Sequence, residues 1–217
     1  MAKASKCFNV NPKNDEQKEA IKHLTNPEVD LVILEGVAGS GKTFLALAAG
    51  LAQVLDQKNY KEIIFTRAPV ALGNDLGALP GTEQDKLLPW CGALMDNLEA
   101  LVGDDELTKA VIETKVKIKA MQFMRGRSLQ DRYLIIDEGQ NLSLGEVKVL
   151  LTRAGEGTKI VLMGDSSQCD NKKLKPGEDA MTKLIDAYEF AKVPYVKYVS
   201  LPVSERSRLC KWVSEVL

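Results

Sequence analysis

Gly36-Val37-Ala38-Gly39-Ser40-Gly41-Lys42-Thr43 decides how the rest of this 217-residue sequence is read. The octet fits G-x-x-x-x-G-K-[ST] at every specified position, and a chance match somewhere in such a chain has odds of about one in a hundred. Glycines at these places let consecutive backbone N–H groups converge on phosphate oxygens without Cβ clashes. A helix starting at the lysine adds the positive end of its dipole. Lys42 then reaches the β and γ phosphates, and the Thr43 hydroxyl ligates Mg²⁺. Gly36 to Thr43, with Phe44 next in line, are therefore the expected nucleotide contacts.

The flanking sequence supplies the strand and helix that this motif requires. Residues 31–35 (LVILE) form a short β-branched apolar run ending at a glycine, which reads as a buried strand. Residues 42–56, rich in Ala and Leu, read as a helix. The alternation continues outward, with strands expected at 62–66, 116–120, 133–137, 159–163 and 196–200. Helices are expected at 14–24, 82–102, 143–154, 177–191 and 205–216, the first with Asn14 as N-cap and Gln17 as its capping-box partner. Strands alternating with helices imply a parallel sheet covered on both faces, an α/β fold. Residues 1–13 are polar and expected to be loose, and 14–217 to form one domain, since no repeat or linker divides them. The Gly- and Pro-rich stretch 67–80 (RAPVALGNDLGALP) fits no regular element; a functional loop and a surface insertion both account for it.

Composition narrows the function classes. A formal net charge of −1 provides no overall cationic field, so binding of nucleic acid would need a local patch. Cys7, Cys91, Cys169 and Cys210 form no C-x-x-C pair and have neither zinc-site nor disulfide-framework spacing. His23 is the sole histidine, which excludes histidine metal clusters and argues against Ser-His-Asp catalysis. The sequence starts without a signal-type apolar stretch, and its longest such run, LALAAGLAQVL, is short of a membrane span; no membrane association is expected.

Further motifs sit at the carboxyl ends of the expected strands, the edge along which open α/β sheets bind ligands. Asp137 and Glu138 follow YLII; Asp137 suits a second Mg²⁺ contact, and Glu138 an acid that orients or deprotonates the attacking water. Gln140, three residues past Asp137, belongs near the same edge. Gly164-Asp165-Ser166-Ser167-Gln168 follows KIVLM, so Asp165 and Gln168 could sense the γ-phosphate; a capped turn is the competing reading. Arg67 ends its strand at that edge too, while Arg125, Arg127, Arg153 and Arg206 are candidates for phosphate or transition-state contacts, with surface salt bridges as the ordinary alternative.

Together GVAGSGKT, TRAPVALGNDLGALPG, MRGRSLQDRYLIIDEGQN, LTRAGEGTKIVLMGDSSQCD and ERSRL resemble the PhoH family of ATPases, over about residues 14–212 and in the family's order. The form is that of its short phage-encoded members, which implies a bacterial cytoplasmic setting. The family is similar to the ATPase core of superfamily-one helicases, so the resemblance implies a three-layer αβα P-loop NTPase with a RecA-like, mainly parallel twisted sheet. An inserted strand should separate the phosphate-loop strand from the strand ending at Asp137. The resemblance also gives Gln17 the adenine-reading place, matches Asp137, Glu138 and Gln140 to D-E-x-Q, and matches Gly164, Asp165 and Gln168 to G-D-x-x-Q. Arg206 occupies the place of the last-motif arginine finger. Lys42, Glu138, Gln168 and Arg206 are then the expected catalytic set, with ATP and Mg²⁺ as cofactors. A single core implies that the arginine comes from a neighbouring subunit, in a homo-oligomer and by analogy a hexameric ring. The function implied is ATP hydrolysis coupled to binding or remodelling of single-stranded RNA or DNA. A nucleotide-controlled binding module and a small-molecule kinase are the alternatives; the Asp137-Glu138 pair and G-D-x-x-Q argue against the kinase.

Overall fold

Six apolar runs of the sequence become six parallel strands: β1 (Leu31–Gly36), β2 (Glu62–Arg67), β3 (Val116–Ile118), β4 (Arg132–Asp137), β5 (Lys159–Gly164) and β6 (Val196–Leu201). They come from a computed structural model that describes residues 8, 10–68, 92–124, 128–205, 212 and 216. The sheet order is β3-β2-β4-β5-β1-β6. Strand β5 is thus the strand inserted between β1 and β4, as the resemblance implied.

The helices are α1 (Asp15–Thr25), α2 (Lys42–Leu51), α3 (Gly92–Val102), α4 (Asp105–Thr114), α5 (Leu144–Leu151) and α6 (Ala180–Phe190). Local chemistry starts most of them. Asn14 accepts from Gln17 N at 2.8 Å, Asp104 from Leu107 N at 2.8 Å and Asp179 from Thr182 N at 2.9 Å, while Ser143 and Glu146 close a reciprocal capping box. Helix α2 runs on into a π-helical turn, Ala52–Asp56, so the helix expected to Asp56 does reach it, with a widened last turn.

Alternate strand residues bury on opposite faces. Val32, Leu34, Ile63, Phe65, Tyr133, Ile135, Val161 and Met163 pack with α1, α2, α3 and Ile112 of α4. Ile33, Ile64, Leu134, Ile136, Ile160 and Leu162 pack with Val147 and Leu150 of α5 and Ala180 and Met181 of α6. The sheet is therefore covered on both sides, the three-layer αβα arrangement.

Several details differ from the expectations: the helix expected at 143–154 ends at Leu151, and the one expected at 177–191 begins at Ala180. Strand β3 ends at Ile118 instead of Ala120. Residues 105–114 form a helix where none was expected; only Thr108 and Ile112 of it are buried, too sparse a stripe to announce one. Gln17 does not complete a capping box: its Oε1 accepts from Lys13 N at 2.9 Å, one residue before the cap. Residues 82–91 of the helix expected at 82–102, most of the helix expected at 205–216, and residues 69–80 of the stretch 67–80 lie outside the described residues.

Candidate nucleotide site

The phosphate-type loop leaves β1 and enters α2 through backbone that only glycine adopts freely. Gly39 and Gly41 have φ of 79° and 92°. At Gly36 a Cβ would lie 2.6 Å from the Leu201 carbonyl oxygen, so the loop can seat against β6 only without a side chain. Ser40 Oγ is buried and unpartnered among the described residues. The Lys42 ammonium folds back over the loop, donating to the carbonyls of Gly36 at 2.5 Å and Val37 at 3.1 Å. Val37 is exposed, and Phe44 packs against the core beneath.

Gln17 on α1 reaches this loop. Its Nε2 donates to Ser40 O at 3.0 Å, and a Cβ on Gly41 would sit 3.2 Å from it. The same corner is closed from the other end of the chain. Glu205 N donates to Gly39 O at 2.9 Å, and Asn14 Nδ2 donates to Glu205 Oε1 at 3.0 Å. The helix residue assigned to adenine thus borders the phosphate loop, 23 residues away in sequence.

The acids come to the same sheet edge. Asp137 ends β4, buried at 8% exposure, and Glu138 follows in a left-handed conformation with φ 57°. Burial first, then the neighbouring Glu138 charge, raises the Asp137 carboxyl to about 6; Arg67 and Lys42 pull it down. Lys42 is therefore near enough for its charge to act on Asp137, although β5 separates their strands. Arg67, the last residue of β2, pairs with Glu138 at 2.9 Å through Nη2 and faces Asp137 Oδ2 at 3.9 Å through Nε.

Gln140 joins the acids to the turn after β5. Its Nε2 donates to Glu138 Oε2 at 2.6 Å and to Gln168 O at 3.3 Å, while its Oε1 accepts from Asp165 N at 3.2 Å. Gly164 makes this possible, because a Cβ there would collide with Gln140 Oε1. Asp165 Oδ1 caps the turn through Ser167 N and Oγ, which is the capped-turn arrangement; its Oδ2 is buried without a partner among the described residues. The Gln168 side chain is exposed.

Two features had been missed. Glu35 at the end of β1 accepts from Ser166 Oγ and, at 2.6 Å, from Tyr198 Oη, tying β1 to the β5 turn and to β6. Burial and this hydrogen bond push the Tyr198 phenol up to about 12. The pairing of Arg67 with Glu138 was also unforeseen; the only sequence signal for either was a charged residue terminating an apolar strand. Arg153 is not brought to the site: its carbonyl accepts from Leu129 N, beyond the amino end of β4. Arg125, Arg127 and Arg206 lie outside the described residues.

A divalent ion fits this donor set if nucleotide oxygens and water complete its shell. Thr43 and the buried Asp137 would supply a hydroxyl and a carboxylate, and among the described residues no group of three or more His, Cys, Asp or Glu stands ready to hold a metal. No described helix is long and apolar enough to cross a membrane.

The family model for PhoH-like protein matches residues 9–217. Protein PhoH2 of Bacillus subtilis (strain 168) is 41% identical over 215 residues, covering 97% of this chain and 48% of the relative. Protein PhoH2 of Mycolicibacterium smegmatis is 35% identical over 212 residues, with 97% and 48% covered. The chain thus spans about half the length of these relatives. Among solved structures, the Sulfolobus solfataricus SWI2/SNF2 ATPase core in complex with dsDNA aligns with a TM-score of 0.51 at 11% identity, covering 92% of this chain and 47% of the other. That likeness is one of fold. The chain belongs to the PhoH-like protein family and is a P-loop NTPase by fold.

Proposed function

We propose, with membership of the PhoH-like family as the premise, that this chain binds ATP with Mg²⁺ at the 36–43 loop and hydrolyses it, coupling turnover to single-stranded RNA or DNA. The observation that carries the reading is the convergence of Lys42, Asp137 and Glu138 on one sheet edge, with Lys42 acting electrostatically on Asp137 across the inserted strand.

In this reading the amides of Gly39 to Thr43 cradle the phosphates, and Lys42 exchanges the carbonyls of Gly36 and Val37 for phosphate oxygens. Thr43 and Asp137 hold the magnesium, which when bound neutralises charge developing on the β and γ phosphates. Glu138 takes the proton of the attacking water, which then adds to the γ-phosphorus as the bond to ADP breaks. Gln140, hydrogen-bonded to Glu138, Asp165 N and Gln168 O, lets the β5 turn respond to the γ-phosphate. Gln17, fixed to Ser40 O, borders the base. Arg206 of a neighbouring copy supplies the last cation, which makes a homo-oligomer part of the proposal.

Coupling to a polynucleotide rests on the family resemblance and on the fold shared with a DNA-bound ATPase core; a net charge of −1 adds nothing to it. Phosphate release measured with and without single-stranded RNA or DNA tests the whole reading. Strong stimulation supports it. Hydrolysis indifferent to polynucleotide would make the protein a nucleotide-controlled binding module, and transfer to an acceptor without free phosphate a kinase. A protein without affinity for any magnesium nucleotide would end the proposal altogether.

A further inference from the structure

Arg67 holds an unusual position for a strand-end arginine. Its backbone is fixed, since Arg67 pairs in register with Asp137 and Ala68 N donates to Asp137 O at 2.9 Å. Its side chain is two-thirds buried, at 34% exposure, and the guanidinium spans two consecutive acids. Nη2 lies 2.9 Å from Glu138 Oε1 and Nε 3.9 Å from Asp137 Oδ2. Glu138 is gripped from its other side by Gln140 Nε2 at 2.6 Å, and Gln140 is itself only 1% exposed.

Asp137 is buried, and two adjacent carboxylates repel one another unless a cation stands near them. In this structure that cation is a guanidinium. A divalent ion bound through Asp137 would bring two positive charges close to Arg67, and at such separations like charges in a half-buried site repel strongly. Metal and arginine therefore compete for the same carboxylates. Glu138 is held by the arginine as long as that competition favours the side chain.

We propose that Arg67 is a placeholder cation for the Asp137–Glu138 pair, a positioning residue that a divalent ion must displace to enter the site, freeing Glu138 for water as it does so. The inference rests on the reading of Asp137 as a metal contact. It is distinct from a phosphate-contact role, because the guanidinium is already committed to the acids.

The test needs no turnover. Mn²⁺ binding to wild type, Arg67→Lys and Arg67→Gln, each complexed with a non-hydrolysable ATP analogue, is measured by calorimetry or by the loss of free Mn²⁺ paramagnetic signal. Arg67→Gln removes the competing charge, so Mn²⁺ should bind tighter by on the order of tenfold. Arg67→Lys keeps the charge but cannot span both acids, and its affinity should fall between the two. Arg67→Gln and Arg67→Lys both binding as wild type does would overturn the proposal. So would Arg67→Lys alone at wild-type affinity if Arg67→Gln does not fold. An Asp137→Asn protein that still binds Mn²⁺ as wild type does would instead remove the metal assignment of the proposed function, and this inference with it.

Discussion

Single atoms at the sheet edge carry the sharpest expectations. Lys42 donates to the loop carbonyls of Gly36 and Val37, and Lys42→Ala should leave the fold intact and weaken binding of a fluorescent ATP analogue. Glu138→Gln keeps the size of the side chain and its contact with Arg67, yet cannot take a proton. It should retain ATP and lose turnover by roughly 10²-fold or more, the usual worth of a positioned base. Single-turnover phosphate release beside equilibrium binding separates the two effects; normal turnover in Glu138→Gln would remove the glutamate from its role. Gly164→Ala acts differently, since the new methyl would collide with Gln140 Oε1. Gln140 must then give up the Asp165 amide or Glu138. The expected result is a kcat loss together with a lower melting temperature, because the methyl would also press on the backbone at 3.1 Å from Gly139 N and 3.2 Å from Gln140 N.

At the scale of whole elements, the contact of helix α1 with strand β5 depends on one buried lysine. Lys159 is 0% exposed and its ammonium donates to the carbonyls of Asn26 at 2.8 Å, His23 at 3.3 Å and Val29. Those groups end α1 and lead into β1, where His23 O also accepts from Asn26 N and Asn26 O from Val29 N, so the ammonium adds to the bonds of the turn. Burial lowers the Lys159 pKa from 10.5 to about 8, despite the three acceptors and the nearby Asp30. The unfolded chain keeps its proton up to about 10.5. Between these values the unfolded state binds more protons, so stability should rise as pH increases from about 8 towards 10.5. Lys159→Met should abolish that rise and remove the ammonium's hydrogen bonds to the three carbonyls, at a cost of about 1–3 kcal/mol. Thermal melts of both proteins at pH 8 and pH 10 read out the two effects together. Helix α2 offers an independent check at Gly50, where a Cβ would lie 2.9 Å from Ile63 Cδ1 and 3.1 Å from the Tyr133 ring. Gly50→Val should destabilise the fold by about 1–3 kcal/mol through overpacking, lowering the denaturant midpoint without touching the site.

Across the whole molecule, strands were more legible than anything between them. A parallel strand buried on both faces is a continuous apolar run, and all six were readable within two residues of their ends. Helix α4 was not, because two buried side chains in ten leave little periodicity to detect. At the site, Gly36 to Thr43, Asp137 and Glu138 could be read from motif and context, since each stands where a strand ends. The grip of Arg67 on Glu138 and of Ser166 and Tyr198 on Glu35 joins strands 71 to 163 residues apart, and pairings at that range follow from strand order, which residue patterns alone do not specify. Assembly belongs to this scale too, because the proposed function has Arg206 enter the site of another copy. Mixing two inactive variants tests this directly. Arg206→Ala keeps an intact Lys42 and Lys42→Ala keeps an intact Arg206. In an equal mixture with free exchange, half the sites have the intact lysine and half of those face the intact arginine, so about a quarter of wild-type turnover should return. Were the arginine to serve its own subunit, each copy would carry one defect and no turnover would return. Light scattering in ATP and Mg²⁺ should accompany the assay, because a monomer with full turnover would leave no neighbour to supply the arginine.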